Sequence, residues 1–397
     1  MNFTLKETTI RDIQAAYLDG SLTCVELVQA YLDRISAYDQ SGPALNAFVK
    51  LNPAALEEAA ALDRMFAQNK TLVGPLHGIP VAVKDQAETK GIETRFGSVA
   101  LSGYVPEKDA TIITKMKAAG AIILGKTAMP DFATSWFGYS SVNGETKNPY
   151  DLDRDPGGSS AGTGAAIAAN LATVGIGEDT GGSIRLPSSF NSLVGVRVTP
   201  GLISRTGLSP LVVFQDTPGP MGRTVTDTAI LLDALVGYDP QDPYTTAFVI
   251  ADHKGSYTQN LDAGGLKGAR VGVLKEAFGS DQDPDCAQVN AVIRAAIEQI
   301  KSAGAEIVEV SLPDGLRCRN VALHHALATR HQQIPVVAPV IALCVDRRDL
   351  QGWPLSQESR SDQRHYDRTG EPGRGPQLLS EAGRAGSVSA CCRQDHG

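Results

Sequence analysis

Apolar side chains recur at intervals of three and four residues in the first 70 positions of the chain. The segments IRDIQAAYLDG (10–20) and SLTCVELVQAYLDRISAYDQ (21–40) carry this spacing, which predicts amphipathic helices. Ser21 or Thr23 is placed to cap the second of them at its N-terminus. The segment PAALEEAAALDRMFAQNK (53–70) predicts a third helix.

A different pattern follows, in which short apolar runs end in polar groups. Such runs are typical of strands buried on both faces of a sheet. They are GIPVAVKD (78–85), AIILGK (121–126), LATVGIGED (171–179) and ARVGVLKE (269–276). Helical spacing separates them, as in DATIITKMKAAG (109–120) and DTAILLDALVG (227–237). The alternation predicts an α/β fold with a mixed, largely parallel central β-sheet flanked by α-helices, and functional groups at the carboxyl ends of its strands.

The last part of the chain has another composition. Residues 316–397 contain 11 arginines but no lysine and no phenylalanine, and periodicity is almost lost beyond Arg347. Such a composition favours disorder, and an out-of-frame reading of a GC-rich gene is one hypothesis for the abrupt change. The predicted parts are a domain over 1–315, made of N-terminal helices (1–70) and an α/β core (71–315), and an atypical tail (316–397).

Composition and charge narrow the classes of function. The 397 residues carry a formal net charge of −8, which argues against non-specific nucleic-acid binding and a basic membrane-binding surface. No apolar run has the length of a membrane span, and the N-terminus lacks the apolar segment of a secretory signal, so the cytoplasm is the predicted location. The six cysteines have no metal-ligand spacing, so we expect reduced thiols and no metal site.

The segment GAIILGKT (120–127) fits the pattern of a phosphate-binding loop. Such a loop needs a glycine-rich turn after a strand, with free backbone N–H groups around the phosphate. Here the four middle positions are apolar and are themselves typical of a strand. We therefore interpret the segment as a junction between a helix and a strand.

Two glycine–serine segments contain candidate catalytic residues: PGGSSAGTGAA (156–166) and EDTGGSIRLP (178–187). Each could be a glycine-rich turn at the start of a helix, and the first could bind an anion there. Alternatively, Ser183 is a nucleophile, and successive N–H groups of the glycine turn stabilise an oxyanion.

A nucleophilic serine needs a base. The only histidines in residues 1–315 are His77 and His253, and nothing around either singles it out. Lys84 ends the apolar run GIPVAVK, so it is either a lysine that reaches solvent at the sheet edge or a desolvated amine. Desolvated lysines can act as bases because burial disfavours the charged form.

Three motifs together resemble the amidase signature family of serine hydrolases: GPLHGIPVAVKD (74–85), PGGSSAGTGAA (156–166) and GEDTGGSIRLP (177–187). The resemblance extends over most of residues 5–315. It implies that Ser183 is acylated, that Ser159 bridges to it from a cis peptide bond, and that Lys84 is the base. The oxyanion hole that it implies consists of the backbone N–H groups of Thr180, Gly181, Gly182 and Ser183.

The resemblance implies an amidase, a hydrolase of linear carboxylic amides that releases the carboxylate and ammonia or an amine through an acyl-enzyme. A small amide is then the substrate, without nucleic acid, membrane or cofactor, and a homodimer is possible for such a domain. One alternative is the glutamine-hydrolysing A subunit of a tRNA-dependent amidotransferase. Another is an inactive, truncated or frameshifted amidase, since residues 316–397 do not resemble the family.

Overall fold

A computed structural model of the chain describes residues 3–250 and 255–311. The helices in this part are α1 (Ile10–Asp19), α2 (Cys24–Tyr38), α3 (Ala55–Asn69), α4 (Thr111–Ala118), α5 (Ala161–Ala168), α6 (Arg185–Phe190), α7 (Val225–Leu235), α8 (Thr246–Ile250) and α9 (Pro284–Ser302). The strands are β1 (Phe48–Leu51), β2 (Pro80–Lys84), β3 (Ile122–Thr127), β4 (Tyr139–Ser140), β5 (Gly144–Glu145), β6 (Val174–Asp179), β7 (Val194–Gly195), β8 (Thr217–Gly222), β9 (Arg270–Leu274) and β10 (Glu306–Val310). The tail predicted for 316–397 lies outside the described residues.

The central sheet has six strands in the order β1-β3-β2-β6-β8-β7. Its middle strands β3, β2 and β6 are parallel, whereas β1, β8 and β7 each run antiparallel to the strand that they pair with. The predicted α/β fold with a mixed, largely parallel sheet is therefore confirmed. Because β3, β2 and β6 are parallel, their carboxyl ends lie at one edge of the sheet, where α/β folds place their sites.

The N-terminal helices begin with reciprocal caps. The Thr23 hydroxyl accepts from the N–H of Glu26, while the Glu26 carboxylate accepts from the N–H of Thr23. Thr9 and Asp12 form the same capping box at α1. Such boxes satisfy N–H groups that have no partner within the helix. Thr23, rather than Ser21, is thus the cap of α2.

Two strands differ from the sequence expectation. The predicted strand at 269–276 exists as β9, but among the described residues it pairs with β10 in a separate parallel sheet, connected through α9. Strand β8, TPGPMG, was not predicted, because proline lacks an N–H donor and glycine has low strand propensity. It nevertheless pairs along its whole length with β6.

The segment that fits the phosphate-loop pattern is a strand. All six residues of β3 are buried. The Nζ of Lys126 lies 3.5 Å from Asp85 Oδ1 and donates to the Thr94 hydroxyl at 3.0 Å and to the carbonyl of Ala87. Lys126 therefore lies inside β3, and these partners hold it within the core. No helix in 3–250 or 255–311 is long and apolar enough to cross a membrane.

Helix α5 approaches the sheet closely because its sequence is almost all alanine and glycine. Its eight residues, AGTGAAIA, are all buried, and it packs against β2, β3 and β6. The Gly162 N–H donates to the carbonyl of Ala128 at 2.9 Å. A Cβ added at Gly162 would overlap the carbonyl oxygen of Ala47 and the backbone nitrogen of Ala128. Hence α5 can take this position only with glycine there.

We predict that Gly162→Ala lowers the free energy of unfolding by about 1–3 kcal/mol, the usual cost of overpacking a core. Urea unfolding followed by circular dichroism measures it. Gly272→Ala on β9 is the matched control, because a Cβ there meets Val310 at the ordinary distance of 3.5 Å. Equal stability of the Gly162→Ala and Gly272→Ala proteins would contradict the close packing of α5.

Candidate active site

Lys84 is the last residue of β2 and is completely buried. Its Nζ donates to Ser159 Oγ at 2.8 Å and to the carbonyl oxygen of Glu178 at 3.0 Å. The Glu178 carboxylate is also close, with Oε2 3.5 Å from Nζ. Of the two interpretations of Lys84, the desolvated amine is the one that the geometry supports.

The surroundings of Lys84 shift its protonation equilibrium towards the neutral amine. Burial lowers the pKa of the amine, while the charges of Glu178, Asp179 and Asp216 act in the opposite direction without cancelling the effect. A lowered pKa increases the fraction of free amine at neutral pH. Lys84 is therefore a candidate base.

His77, the alternative base within the described residues, is engaged elsewhere. Its Nδ1 accepts the N–H of Val73 at 3.1 Å, and its Nε2 lies 3.8 Å from the sulfur of Cys24. The ring of Tyr17 meets it edge-on. His77 is thus a packed residue of the N-terminal part of the fold. His253 lies outside the described residues.

Ser159 precedes Ser160, the N-cap of α5, and is fully buried. The Gly158–Ser159 peptide bond is cis. The Gly158 N–H donates to the carbonyl of Trp136 at 2.7 Å, and a Cβ at Gly158 would lie only 3.0–3.1 Å from the backbone of Trp136 and Phe137. The glycine before Ser159 therefore permits close contact with the neighbouring loop.

Ser183 lies in the turn between β6 and α6 and is 3% exposed. Its carbonyl accepts the N–H of Ser160 at 3.2 Å. This hydrogen bond joins the two glycine–serine segments by their backbones. Ser183 and Ser159 consequently belong to neighbouring stretches of chain, although 24 residues separate them in sequence.

The Asp179 carboxylate holds the turn that carries Ser183. It accepts the N–H groups of Gly182 at 2.7 Å and Ile184 at 3.0 Å. Arg185 donates to both of its oxygens at 3.1 Å, and Arg197 Nε lies 3.3 Å away. Burial by itself would raise the pKa of Asp179, but the hydrogen bonds and charge of Arg185 and the backbone N–H groups hold it below its usual value.

The same bonds bear on the predicted oxyanion hole. The Gly182 N–H donates to Asp179 and so supports the turn, while its place in the oxyanion hole stays a prediction. The N–H groups of Thr180, Gly181 and Ser183 have no hydrogen-bond partner within the part of the chain that the structure describes. These three remain as candidate donors to an oxyanion.

Comparison with known proteins decides the family. The family model described as Amidase matches residues 26–349. The chain belongs to the amidase family. The match passes the predicted domain boundary at residue 315, and that boundary and the tail stay predictions.

Relatives within the amidase family carry different names. The glutamyl-tRNA(Gln) amidotransferase A subunit of Alkaliphilus metalliredigens is 42% identical over 310 residues, covering 78% of this chain and 61% of the relative. The peptide amidase of Stenotrophomonas maltophilia is 42% identical with a TM-score of 0.72, covering 78% of this chain and 63% of that structure. The amidotransferase A subunit of Thermotoga maritima is 27% identical with a TM-score of 0.65, covering 83% and 72%. The chain thus spans about three fifths of the length of the curated relatives it matches.

Two buried carboxylates of this amidase-family chain were missed by the sequence analysis. Glu178 and Asp179 end β6, one contacting Lys84 and the other holding the Ser183 turn. The sequence pattern that could have indicated them is a pair of adjacent acids between a buried apolar run and a glycine turn. The sequence alone did not separate such acids from solvated carboxylates at the end of a strand.

We predict that Asp179→Asn destabilises the protein by roughly 1.5–3 kcal/mol near pH 7, since hydrogen bonds to a charged group are lost. The folded-state pKa of Asp179 is depressed. Its stabilisation is therefore present above the unfolded pKa of about 3.9 and is lost as pH falls through the folded-state pKa. The difference in unfolding free energy between wild type and variant should shrink below about pH 4.

Urea unfolding between pH 7 and pH 3 measures this difference. Asp151→Asn is the control, because Asp151 pairs with Arg154 in an exposed contact, with 51% and 75% of the side chains accessible, and its loss should cost less than about 0.5 kcal/mol. If the difference in unfolding free energy between wild type and Asp179→Asn does not change with pH, an ionised Asp179 does not stabilise the turn that carries Ser183.

Proposed function

We propose that this protein is an amidase that hydrolyses a carboxylic amide to the carboxylate and ammonia or an amine by way of an acyl-enzyme on Ser183. The observation that carries the proposal is the 2.8 Å hydrogen bond from the buried Lys84 Nζ to Ser159 Oγ. It joins a base of lowered pKa to a serine whose neighbour, Ser160, is bonded to Ser183. Covalent catalysis by a serine needs a nucleophile linked to a base in this way, which supports the proposal.

In the proposed reaction the Ser183 hydroxyl attacks the amide carbon. Its proton passes to Ser159 Oγ, while the proton of Ser159 passes to Lys84 Nζ. The carbonyl oxygen becomes an oxyanion that accepts from the N–H groups of Thr180, Gly181 and Ser183. The proton then returns along the same path to the leaving nitrogen, the C–N bond breaks, and water later hydrolyses the ester by the same transfers.

Substrate binding is proposed beside Trp136, which is 42% exposed. Its Nε1 lies 3.9 Å from where a Cβ of Gly182 would stand, so the indole adjoins the turn that carries Ser183. Phe137, next along the chain, is exposed as well. An aromatic surface at this place favours amides with an apolar group near the scissile bond.

We predict that Ser183→Ala abolishes release of ammonia from an amide panel, because no nucleophile remains. Lys84→Ala should reduce kcat by roughly 10²- to 10⁴-fold, the contribution of a positioned base. Mass spectrometry after acid quench should find the acyl group on Ser183 in the wild type. The control is Ser189→Ala, an exposed serine of the same helix region, which should keep wild-type turnover.

Substantial turnover by purified Ser183→Ala protein would refute the mechanism. A cooperative thermal transition of each variant excludes a trivial loss of folding, and it also distinguishes a folded amidase from the inactive, truncated alternative.

The second candidate is a glutamine-hydrolysing component of an amidotransferase, which the 42% identity to the Alkaliphilus protein favours. The amidase proposal ranks first because the likeness to the peptide amidase structure, with a TM-score of 0.72, exceeds that to the Thermotoga amidotransferase structure, with 0.65. The two functions differ in whether a partner is needed for turnover.

We predict that the isolated chain releases ammonia from apolar amides, such as C-terminally amidated dipeptides, at least about tenfold faster than from glutamine. The physical reason is the aromatic surface at Trp136, which an apolar group can cover. Steady-state ammonia assays compare the substrates. Glutamine hydrolysis that appears only after co-purification with partner proteins would favour the amidotransferase function instead.

A further inference from the structure

The carboxylate of Glu178 is buried against Lys84. Only 2% of its side chain and none of the Lys84 side chain is exposed, and Oε2 lies 3.5 Å from Nζ. Lys84 also donates to the backbone carbonyl of Glu178 at 3.0 Å. One residue therefore contacts the amine through both its main chain and its side chain.

The position of Glu178 follows from the sheet. It is the penultimate residue of β6, which runs parallel to β2, the strand that ends at Lys84. Its N–H donates to Ser160 Oγ at 3.2 Å. Glu178 is thus fixed between the lysine and the first serine segment by backbone bonds that do not involve its carboxylate.

The two carboxylate oxygens have different surroundings. Oε1 lies 3.4 Å from the Thr180 hydroxyl, whose one proton is directed to Asp216 Oδ1 instead. Oε2 has no hydrogen-bond partner among the described residues. An unpaired carboxylate oxygen in a low-dielectric site is costly unless a cation faces it. Lys84, with Nζ 3.5 Å from Oε2, becomes such a cation when it is protonated.

The other acids near Lys84 are held by different groups. Asp179 is bound by Arg185 and the Ser183 turn. Asp216 accepts the N–H groups of Leu211 and Val212 and the hydroxyl of Thr180. Within the described part of the chain, Glu178 alone places a carboxylate oxygen within ion-pair distance of Lys84 Nζ.

We infer that Glu178 is a positioning residue that stabilises the ammonium form of Lys84 as Ser183 loses its proton. In a serine triad, a carboxylate orients the base and stabilises its protonated form. Glu178 would have the same role towards Lys84. The inference rests on the proposed function, since it concerns the proton transfer of that reaction. Glu178 would act through Lys84 and would itself accept no proton in the reaction.

Electrostatics determine in which direction the pKa of Lys84 shifts when the Glu178 charge is lost. Burial lowers the pKa of Lys84, and the Glu178 charge acts against this by raising it. Burial also raises the pKa of Glu178, which Lys84 in turn lowers. Loss of the carboxylate charge therefore leaves a weaker base, which stays neutral to lower pH. Asp179 and Asp216 are unchanged by such a substitution.

The test is the pH profile of kcat/KM for Glu178→Gln and Glu178→Asp, with the best amide of the panel. We expect Glu178→Gln to lower the maximal rate, by less than loss of Lys84 does, and to move the acid limb to lower pH. Glu178→Asp keeps the charge and should restore the limb towards its wild-type position. An unmoved limb in Glu178→Gln, or equal losses in both variants without a shift, would overturn the inference.

Asp85→Asn is the matched control. Within residues 3–250 and 255–311, Asp85 forms a second buried lysine–carboxylate pair, also at 3.5 Å, with Lys126. Its substitution removes a buried carboxylate next to Lys84 in sequence but leaves the Lys84–Glu178 contact in place. The acid limb should therefore keep its wild-type pH, whatever happens to the maximal rate. A limb that moves as it does in Glu178→Gln would overturn the specific role of Glu178.

A readout without turnover separates this inference from the proposed function. In protein labelled with ¹³C at lysine Cε, the Lys84 resonance is the one lost in Lys84→Met. Its NMR titration midpoint should be lower in Glu178→Gln than in wild type. If no amide is hydrolysed, the proposed function fails while the titration still tests the pair. An equal or higher midpoint would overturn the inference.

Discussion

The burial of one amine at the carboxyl end of β2 is the constraint on which the site depends. Moving a charged ammonium out of water is costly, so a lysine in a core either finds partners or loses its proton. At Lys84 both solutions are combined: Ser159 Oγ and the Glu178 carbonyl accept hydrogen bonds, and the pKa is lowered by burial. The parallel strands on either side, β3 and β6, exclude water from the amine and supply one of its two acceptors.

The rest of the site is built largely from backbone. The hydrogen bond between Ser160 and Ser183 connects the start of α5 with the turn after β6. Asp179 then fixes that turn through its N–H groups. Small residues make this arrangement possible, since α5 can approach the sheet only where Gly162 has no side chain. Packing of α5 and placement of Ser159 are therefore consequences of the same glycine-rich sequence.

Much of this could be predicted from the sequence, for a physical reason. The spacing of apolar residues and the capping of helices depend on residues that are close in sequence. The sequence therefore predicted several elements near their observed bounds, namely α1, α2 and the buried strands β2, β3 and β6. Pairing is not local: β9 carries an ordinary strand pattern that does not say which sheet it joins, and the prolines of β8 hide a strand held in place by β6. Lys84 could be found because a lone polar group ends an apolar run. Glu178 and Asp179 could not, because their partners come from β2, α6 and the segment around Arg197.

The second buried pair makes clear why burial alone does not create a base. Lys126 and Asp85 are as deeply buried as Lys84 and Glu178, and the separation is 3.5 Å in both pairs. Burial lowers the pKa of Lys126 to about 8. Yet its acceptors are the carbonyl of Ala87 and the hydroxyl of Thr94, so its protons go to groups that stabilise the core. Lys84 differs because its acceptor hydroxyl belongs to the segment bonded to Ser183. The proposed catalytic role of Lys84 and the structural role of Lys126 thus depend on the groups to which each amine is hydrogen-bonded, because both amines are equally buried.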